Sequence, residues 1–299
     1  MIITPESFAL LTTAYSASFN KGFKGAESIV SKIALEAGSK SSQEIYAWIG
    51  QFPGMREWVG DRQIKNLNAY DYFIKNEKFE STVAVERTKI EDDQYGVYAP
   101  MMEQMGRAAK VHPDQRLLFL LASGFELDCY DGQYFFDADH PGFGPRGEPI
   151  SVSNILPVSG SPGPAWFLLD TRQPVKPLVW QTRIPYTFTS ITREDDRSVF
   201  LHDEYLFGVR ARVNAGFGFW QCAFGSQAPL TADNFALARE AMTTIRGDQG
   251  QLLGIEGNVL VCGPSSEAAA RLILKATSVD ATSNIWHEAA ELIVTPYLT

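Results

Sequence analysis

Apolar and polar positions alternate along two adjoining stretches near the first third of the chain, 62–72 and 77–90. Read as strands, they are about eleven and fourteen residues long, against a usual five or six. The Asn76-Glu77 neighbourhood provides a turn between them. Six basic and eight acidic residues fall between Asp61 and Asp93, so a hairpin here has little core of its own. It is either solvated or laid on another copy of the chain.

Elsewhere the spacing predicts a helix from Pro5 to about Phe19. Thr4 is its cap, Pro5 takes the first helical position, and Asn20-Lys21-Gly22 is its stop. Residues 24–43, rich in Gly, Ser, Ala and Lys, read as an arm rather than a core element. Trp48, Phe52 and Trp58 then come close together around a Pro53-Gly54 turn. Two helical pieces, 96–110 and 114–122, are separated by a break at Pro113. The string 135–147 reads as a surface loop, and SGSPGP at 159–164 as a domain or subdomain crossing. A β block follows: 166–170, 177–180, 186–192, 198–201, 204–213 and 216–224, the last two forming a hairpin around Asn214-Ala215-Gly216. Helix 234–245, strand 258–262, helix 266–275 and strand 292–294 close the chain as an α/β lobe.

With 45% hydrophobic residues, the 299-residue chain can bury a substantial core. Its net charge of −9 and pI near 5.0 argue against a dedicated nucleic-acid binder. No apolar run approaches the roughly 18 residues of a membrane span. The N-terminus lacks the basic region and cleavage motif of a signal peptide. Cys129, Cys222 and Cys262 are odd in number and widely spaced, which favours neither a zinc ribbon nor a disulfide framework, and suits a reducing place of synthesis.

Candidate chemistry is thin. Asp137, Asp139 and His140 have metal-ligand types at close spacing, but DADHPG is equally an ordinary turn. His287-Glu288-x-x-Glu291 lacks the second histidine of a zinc helix. Asp92-Asp93 and Asp195-Asp196 lie in charged runs. There is no phosphate loop and no nucleophile elbow. The aromatic set Tyr205, Phe207, Phe217, Phe219, Trp220 and Phe224 reads as packed core. No catalytic residue, metal site or cofactor is expected.

Several motifs carry a resemblance in their order along the chain. Trp58-Val59-Gly60-x-Arg62, Phe79-Glu80 and Glu91-Asp92-Asp93-x-x-Gly96-x-Tyr98-Ala99-Pro100 come first. Met105-Gly106, Cys129-Tyr130-Asp131-Gly132-Gln133, Phe135-Phe136 and Asp139-His140-Pro141 follow. Leu168-Leu169-Asp170, Val175-Lys176-Pro177-Leu178, Leu206-Phe207-Gly208 and Gly216-x-Gly218-Phe219-Trp220-Gln221 complete the set. Together they resemble the major head protein (gpT type) of Mu-like bacteriophages and prophages, collinearly over essentially the whole chain.

The resemblance implies an α+β HK97-type capsid fold. Its parts would be an N-terminal arm (1–45), an extended loop (46–93), a peripheral domain with a spine helix (94–160 and 182–226) and an axial domain (165–181 and 227–299). Because the strand block precedes the axial helices, a permuted connection is expected, with 292–298 lying near Trp166. The implied role is a non-enzymatic coat subunit forming hexamers and pentamers of a virion head around double-stranded DNA, without sequence-specific binding. It would be assembled in the host bacterial cytoplasm with scaffold, protease and portal, and with decoration or minor head proteins as further partners. Inter-subunit contacts are expected from Trp58, Arg62, Lys65, Lys75, Lys78, Glu80, Glu86, Arg87, Asp92 and Asp93. An encapsulin-like cellular compartment is the rival that keeps the fold. A metal-dependent hydrolase using Asp137, Asp139 and His140 is the rival that does not.

Overall fold

The computed structural model of the chain describes residues 5–46, 72–92, 96–158, 160–279 and 281–298. Trp58, Arg62, Lys65, Asp93 and nearly all of the expected strand 62–72 lie outside them. Helix α1 (Pro5–Gly25) and the short α2 (Val30–Ile33) are followed by strands β1 (Ala34–Gly38), β2 (Gln43–Ile45), β3 (Phe73–Lys75) and β4 (Glu77–Glu86). After α3 (Arg87–Glu91) comes the long α4 (Tyr98–Ala122), then the hairpin β5 (His140–Phe143) and β6 (Pro149–Val152). The β block is β7 (Trp166–Leu169), β8 (Leu178–Ile191), α5 (Arg197–His202), β9 (Glu204–Phe217) and β10 (Ala223–Ser226). The chain closes with α6 (Ala232–Thr243), β11 (Val259–Cys262), α7 (Glu267–Leu274), β12 (Ser278–Val279), β13 (Thr282–Ser283) and β14 (Glu291–Val294).

Two four-stranded sheets organise the subunit. The first runs β1-β8-β9-β4, and the second β10-β7-β11-β14. In the first, alternate residues of β9 (Tyr205, Phe207, Val209, Ala211 and Val213) are buried on one face, as period-two patterning demands. Helices α1 and α4 cover that face: Tyr15 meets Phe207 edge-on at 5.2 Å, and Phe19 stacks on Phe188 at 4.9 Å. The second sheet is buried on both faces at β7 and β11, which explains their unbroken apolar runs. Thr231 Oγ1 caps α6 by accepting from Asn234 N–H at 3.2 Å. The aromatic set from Tyr205 to Phe224 is core, as expected. Strands β7 and β14 flank β11 on either side, with Trp166 and Val294 both opposite Cys262. The C-terminal segment and Trp166 are therefore one strand apart, as the permuted connection expects.

Five local expectations are corrected. Helix α1 continues past Gly22, because that glycine is a contact and not a stop. A Cβ there would sit 1.9 Å from the Glu103 carbonyl oxygen, and one on Gly106 2.0 Å from that of Phe19. Residues 24–43 are not merely an arm: Val30, Ile33 and Ala34 are buried in the main core, and β1 pairs in parallel with β8. Pro113 breaks nothing. It is buried inside a continuous α4, where the neighbouring Asp114 carboxylate accepts from Ser28 Oγ (2.7 Å) and Ile29 N–H (3.1 Å). Residues 198–201 belong to helix α5, begun by Asp196, whose side chain accepts from Ser198 N–H. Asn214-Ala215-Gly216 makes no turn; it lies within the 14-residue β9.

The reciprocal glycine contact generates a stability prediction. Gly106→Ala must push α1 and α4 apart along backbone atoms, which cannot rotate away. The expected loss is about 1–3 kcal/mol, measured by urea unfolding of the subunit, and parent-like stability would rule out the close contact.

Candidate assembly surface and loop base

The expected charged hairpin is not a hairpin at Asn76. Strand β3 pairs with β2 (Ile45 opposite Phe73, Gln43 opposite Lys75), while β4 pairs with β9 along its whole length. The chain passes through Asn76 without reversing, and β4 forms an edge of the first sheet. Its strand ends at Glu86 rather than Ile90, because Arg87–Glu91 is helical. Antiparallel pairing puts Lys78 directly opposite Arg212, Glu80 opposite Arg210, and Glu86 opposite Glu204. These residues share the sheet face turned away from α1 and α4. Like charges so placed repel, and only the Glu80/Arg210 pair is attractive.

The other described members of the expected contact set are also placed. Lys75 is exposed at the end of β3, and Asp92 is exposed just after α3. Arg87 bonds Glu194 at 2.6 Å and its N–H donates to the Asp203 carbonyl, so it ties α3 to the far end of the β8–β9 pair. Glu86 pairs with Lys89 at 3.0 Å. The sequence reading missed Glu194, Arg210 and Arg212. Their signal was the charge within RARV and TRED, visible only once β9 is known to carry its polar face outward.

A second group missed from sequence sits where residues 47–71 leave and rejoin the described chain. The N–H of Tyr46 donates to the carbonyl of Tyr72 at 2.9 Å, which brings both ends to one place. Gln181, fully buried on β8, accepts from Tyr46 Oη (2.7 Å) and donates to the Ile74 carbonyl (3.0 Å) and Asn76 Oδ1 (2.9 Å). The Asn76 amide then donates to Ser39 Oγ and the Ser41 carbonyl. Tyr72 Oη accepts from the Phe217 N–H at 2.7 Å. Burial, with a smaller contribution from Glu44, raises the Tyr46 pKa to about 12. The clue was a glutamine directly after the apolar Leu178-Val179-Trp180.

The proposed metal trio does not assemble. The Asp137 carboxylate accepts from the Ala138 N–H, and Asp139 is exposed. His140 is instead fully buried, stacked on Trp220 at 4.1 Å, with Nδ1 2.9 Å from Asp131 Oδ2. Cys129 Sγ donates to Asp131 Oδ1 at 3.0 Å. Cys129, Asp131 and His140 do bring three ligand atoms within 4.8 Å of one another. Both Asp131 separations are hydrogen-bond lengths, so the carboxylate is bonded from two sides. Burial and the neighbouring Asp131 carboxylate push the Cys129 thiol up, which keeps it a hydrogen-bond donor to Asp131. The trio is a hydrogen-bonded staple holding the 129–134 turn to β5. His287 and Glu288 lie in turns rather than on a zinc helix. All three cysteines are buried and free.

The family now follows. Residues 8–298 match the family described as Mu-like prophage major head subunit gpT. The chain belongs to this family. It is 38% identical over 305 residues to the major capsid protein of Escherichia phage Mu, covering 100% of both chains. Its fold is similar to a subunit of the procapsid of bacteriophage JBD30, with a TM-score of 0.87, 41% identity, and 99% and 100% of the two chains covered. It is also similar, at a TM-score of 0.76 and 30% identity over 90% of each chain, to the JBD30 capsid decorated with minor capsid protein trimers. This gpT-family chain is thus a phage major capsid protein with the α+β capsid fold, a structural protein and not an enzyme. Neither the encapsulin-like compartment nor the hydrolase is favoured. Among the described residues, no helix is long and apolar enough to cross a membrane.

The buried staple predicts a pH effect on this head subunit. Burial raises the Asp131 pKa, but the bonds from His140 and Cys129 outweigh it, so the carboxyl lies below its ordinary value. Its contribution is complete above the unfolded pKa of about 3.9 and is lost as pH falls through the lower folded value. Asp131→Asn should cost about 1–3 kcal/mol at neutral pH and flatten the acid limb of stability. Urea unfolding across pH, followed by tryptophan fluorescence, checks this; an unchanged acid limb would contradict the assignment.

Proposed function

We propose that copies of this chain close into an icosahedral head of hexamers and pentamers around double-stranded DNA. The observation that carries the reading is the full-length likeness to a procapsid subunit at 41% identity. In this reading the extended loop is 47–71 of the expected 46–93, since β4 belongs to the first sheet, and the expected arm 1–45 is packed into the body of the subunit through α1, α2 and β1. The peripheral domain is 94–160 with 182–226, built on α4 as spine helix. The axial domain is 165–181 with 227–299. Assembly takes place in the host bacterial cytoplasm with scaffold, protease and portal, and minor capsid proteins decorate the finished shell, as they do in JBD30.

The contacts between copies are assigned to Trp58, Arg62, Lys65, Lys75, Lys78, Glu80, Glu86, Arg87, Asp92 and Asp93. Lys78 beside Arg212, and Glu86 beside Glu204, concentrate like charge on the outer sheet face. A neighbour bringing opposite charge relieves that repulsion, which favours correct register more than raw affinity. The acidic balance of the chain keeps DNA from adhering to the wall.

The loop is the part to remove. A deletion of 63–88 would take away β3 and β4, and so damage the first sheet. Deleting 48–70 and bridging the gap with a short glycine linker keeps β2, β3 and Tyr72. The expected product is a folded subunit with parent-like circular dichroism that forms no closed shells by size-exclusion chromatography and negative-stain electron microscopy. Shells of parental diameter from the deletion would overturn the assignment.

A further inference from the structure

We propose that the buried polar network of Gln181, Asn76, Tyr46 and Ser39 is a positioning device: it holds β2 and β3, the strands that flank residues 47–71, in one orientation on β8 and β9, and shell assembly depends on that orientation. The inference rests on the coat-protein reading and adds to it the residues that orient these two strands.

The pair β2–β3 is only three residues long, and a two-stranded ribbon of that size does not hold its own orientation in water. Something outside it must fix its angle. Apolar packing supplies part of the answer: Ile74 is buried, and a Cβ on Gly216 would strike it at 2.2 Å. Apolar contacts, however, allow sliding and rotation. The hydrogen bonds do not, because each buried donor and acceptor must find its partner. One side chain, Gln181, simultaneously holds Tyr46 at the start of the departing chain, and Ile74 and Asn76 just past its return.

Asn76 extends the network back to the turn at 39–42. Its own N–H donates to the Ser42 carbonyl at 3.0 Å, and its amide reaches Ser39 and Ser41. Glu44 stiffens that turn by accepting from the N–H groups of Lys40 (2.5 Å) and Ser41 (3.0 Å). Asn214 donates to the Lys75 carbonyl at 2.8 Å, tying the return strand to β9. Strands β8 and β9 therefore grip both legs of the exit through polar groups. A purely apolar base would bury these strands as well. In this proposal the network selects one arrangement of β2 and β3 over near neighbours.

Stability and aim are separable by experiment. In the full-length chain, Tyr46→Phe/Gln181→Met removes the Tyr46–Gln181 hydrogen bond together with both bonds that Gln181 donates, to the Ile74 carbonyl and Asn76 Oδ1, while keeping a similar side-chain volume. Val261→Ala, fully buried in the second sheet, is the control for a general loss of stability. The parent chain must form shells under the same conditions; if it does not, the coat-protein reading itself fails. For the double variant we expect a folded subunit with at least ten-fold faster amide exchange at 43–46 and 73–76. We also expect at least a ten-fold drop in uniform closed shells relative to Val261→Ala. Shells at the control's yield would overturn the proposal. So would a double variant that does not fold, since the network would then serve stability alone.

Discussion

The subunit is built around one constraint: a pair of 14-residue strands, β8 and β9, has an apolar face that must be covered along its length. At about 3.3 Å per residue such a pair is about 46 Å long. A single helix of ordinary length and about 10 Å width would leave much of a four-stranded face wet. The chain answers with α1, of 21 residues, and α4, of 25, roughly 31 and 37 Å long, laid side by side. Gly22 and Gly106 let their backbones touch, so two helices cover the sheet with no gap between them. The remaining end of the strand pair is buried instead, through Leu178, Val179 and Trp180, in the main core that also holds the second sheet. The long strands thus belong to both halves of the molecule and fix how one half is set against the other.

This explains what could be read in advance. The C-terminal lobe was legible because each of its elements is short, capped and bounded: Thr231 opens α6, and Val259–Cys262 is an apolar run between turns. The β block was legible as strand but not in its lengths. Residues 177–180 and 186–192 are one strand because Thr182 to Pro185 bridges them through register shifts opposite β9, which no local pattern shows. Pro113 and Gly22 misled for a common reason. Both are punctuation in an isolated helix; Gly22 is overruled by the α1–α4 contact at Glu103, and Pro113 lies beside Asp114, which is tied to Ser28 and Ile29, each over more than eighty residues. Residues 198–201 look like strand by composition, yet Asp196 supplies a helix cap and the turn between β8 and β9 needs one.

Charge density at 61–93 suggested a hairpin with little core of its own, yet the described part buries Ile74, Val85 and Ile90 within this chain. In the folded chain its described part is split. Strand β3 belongs to the base of the loop, and β4 is integral to the first sheet, held by a full register with β9. The charges on β4 are therefore carried on the surface of the first sheet, whereas those before Tyr72 lie outside the described residues. Buried Gln181 and Asn76 escaped notice because a single polar residue in an apolar run has no periodic signature. Its meaning lies in the partner groups that folding brings to it.

A coat subunit has to remain separate until it meets its neighbours in the right arrangement, and an open sheet edge is the obvious hazard. Among the described residues, strand β4 leaves such an edge, ten residues long, able to pair with an extended chain. Its exposed Lys78, Glu80 and Glu86 make indiscriminate pairing costly, because an arriving strand must match alternating charge as well as backbone. The same residues stand beside Arg212, Arg210 and Glu204, so the requirement is two-dimensional and spans both strands. The apolar core is then left to hold the sheet rigid, and the polar network of Gln181 and Asn76 to hold β2 and β3 on it.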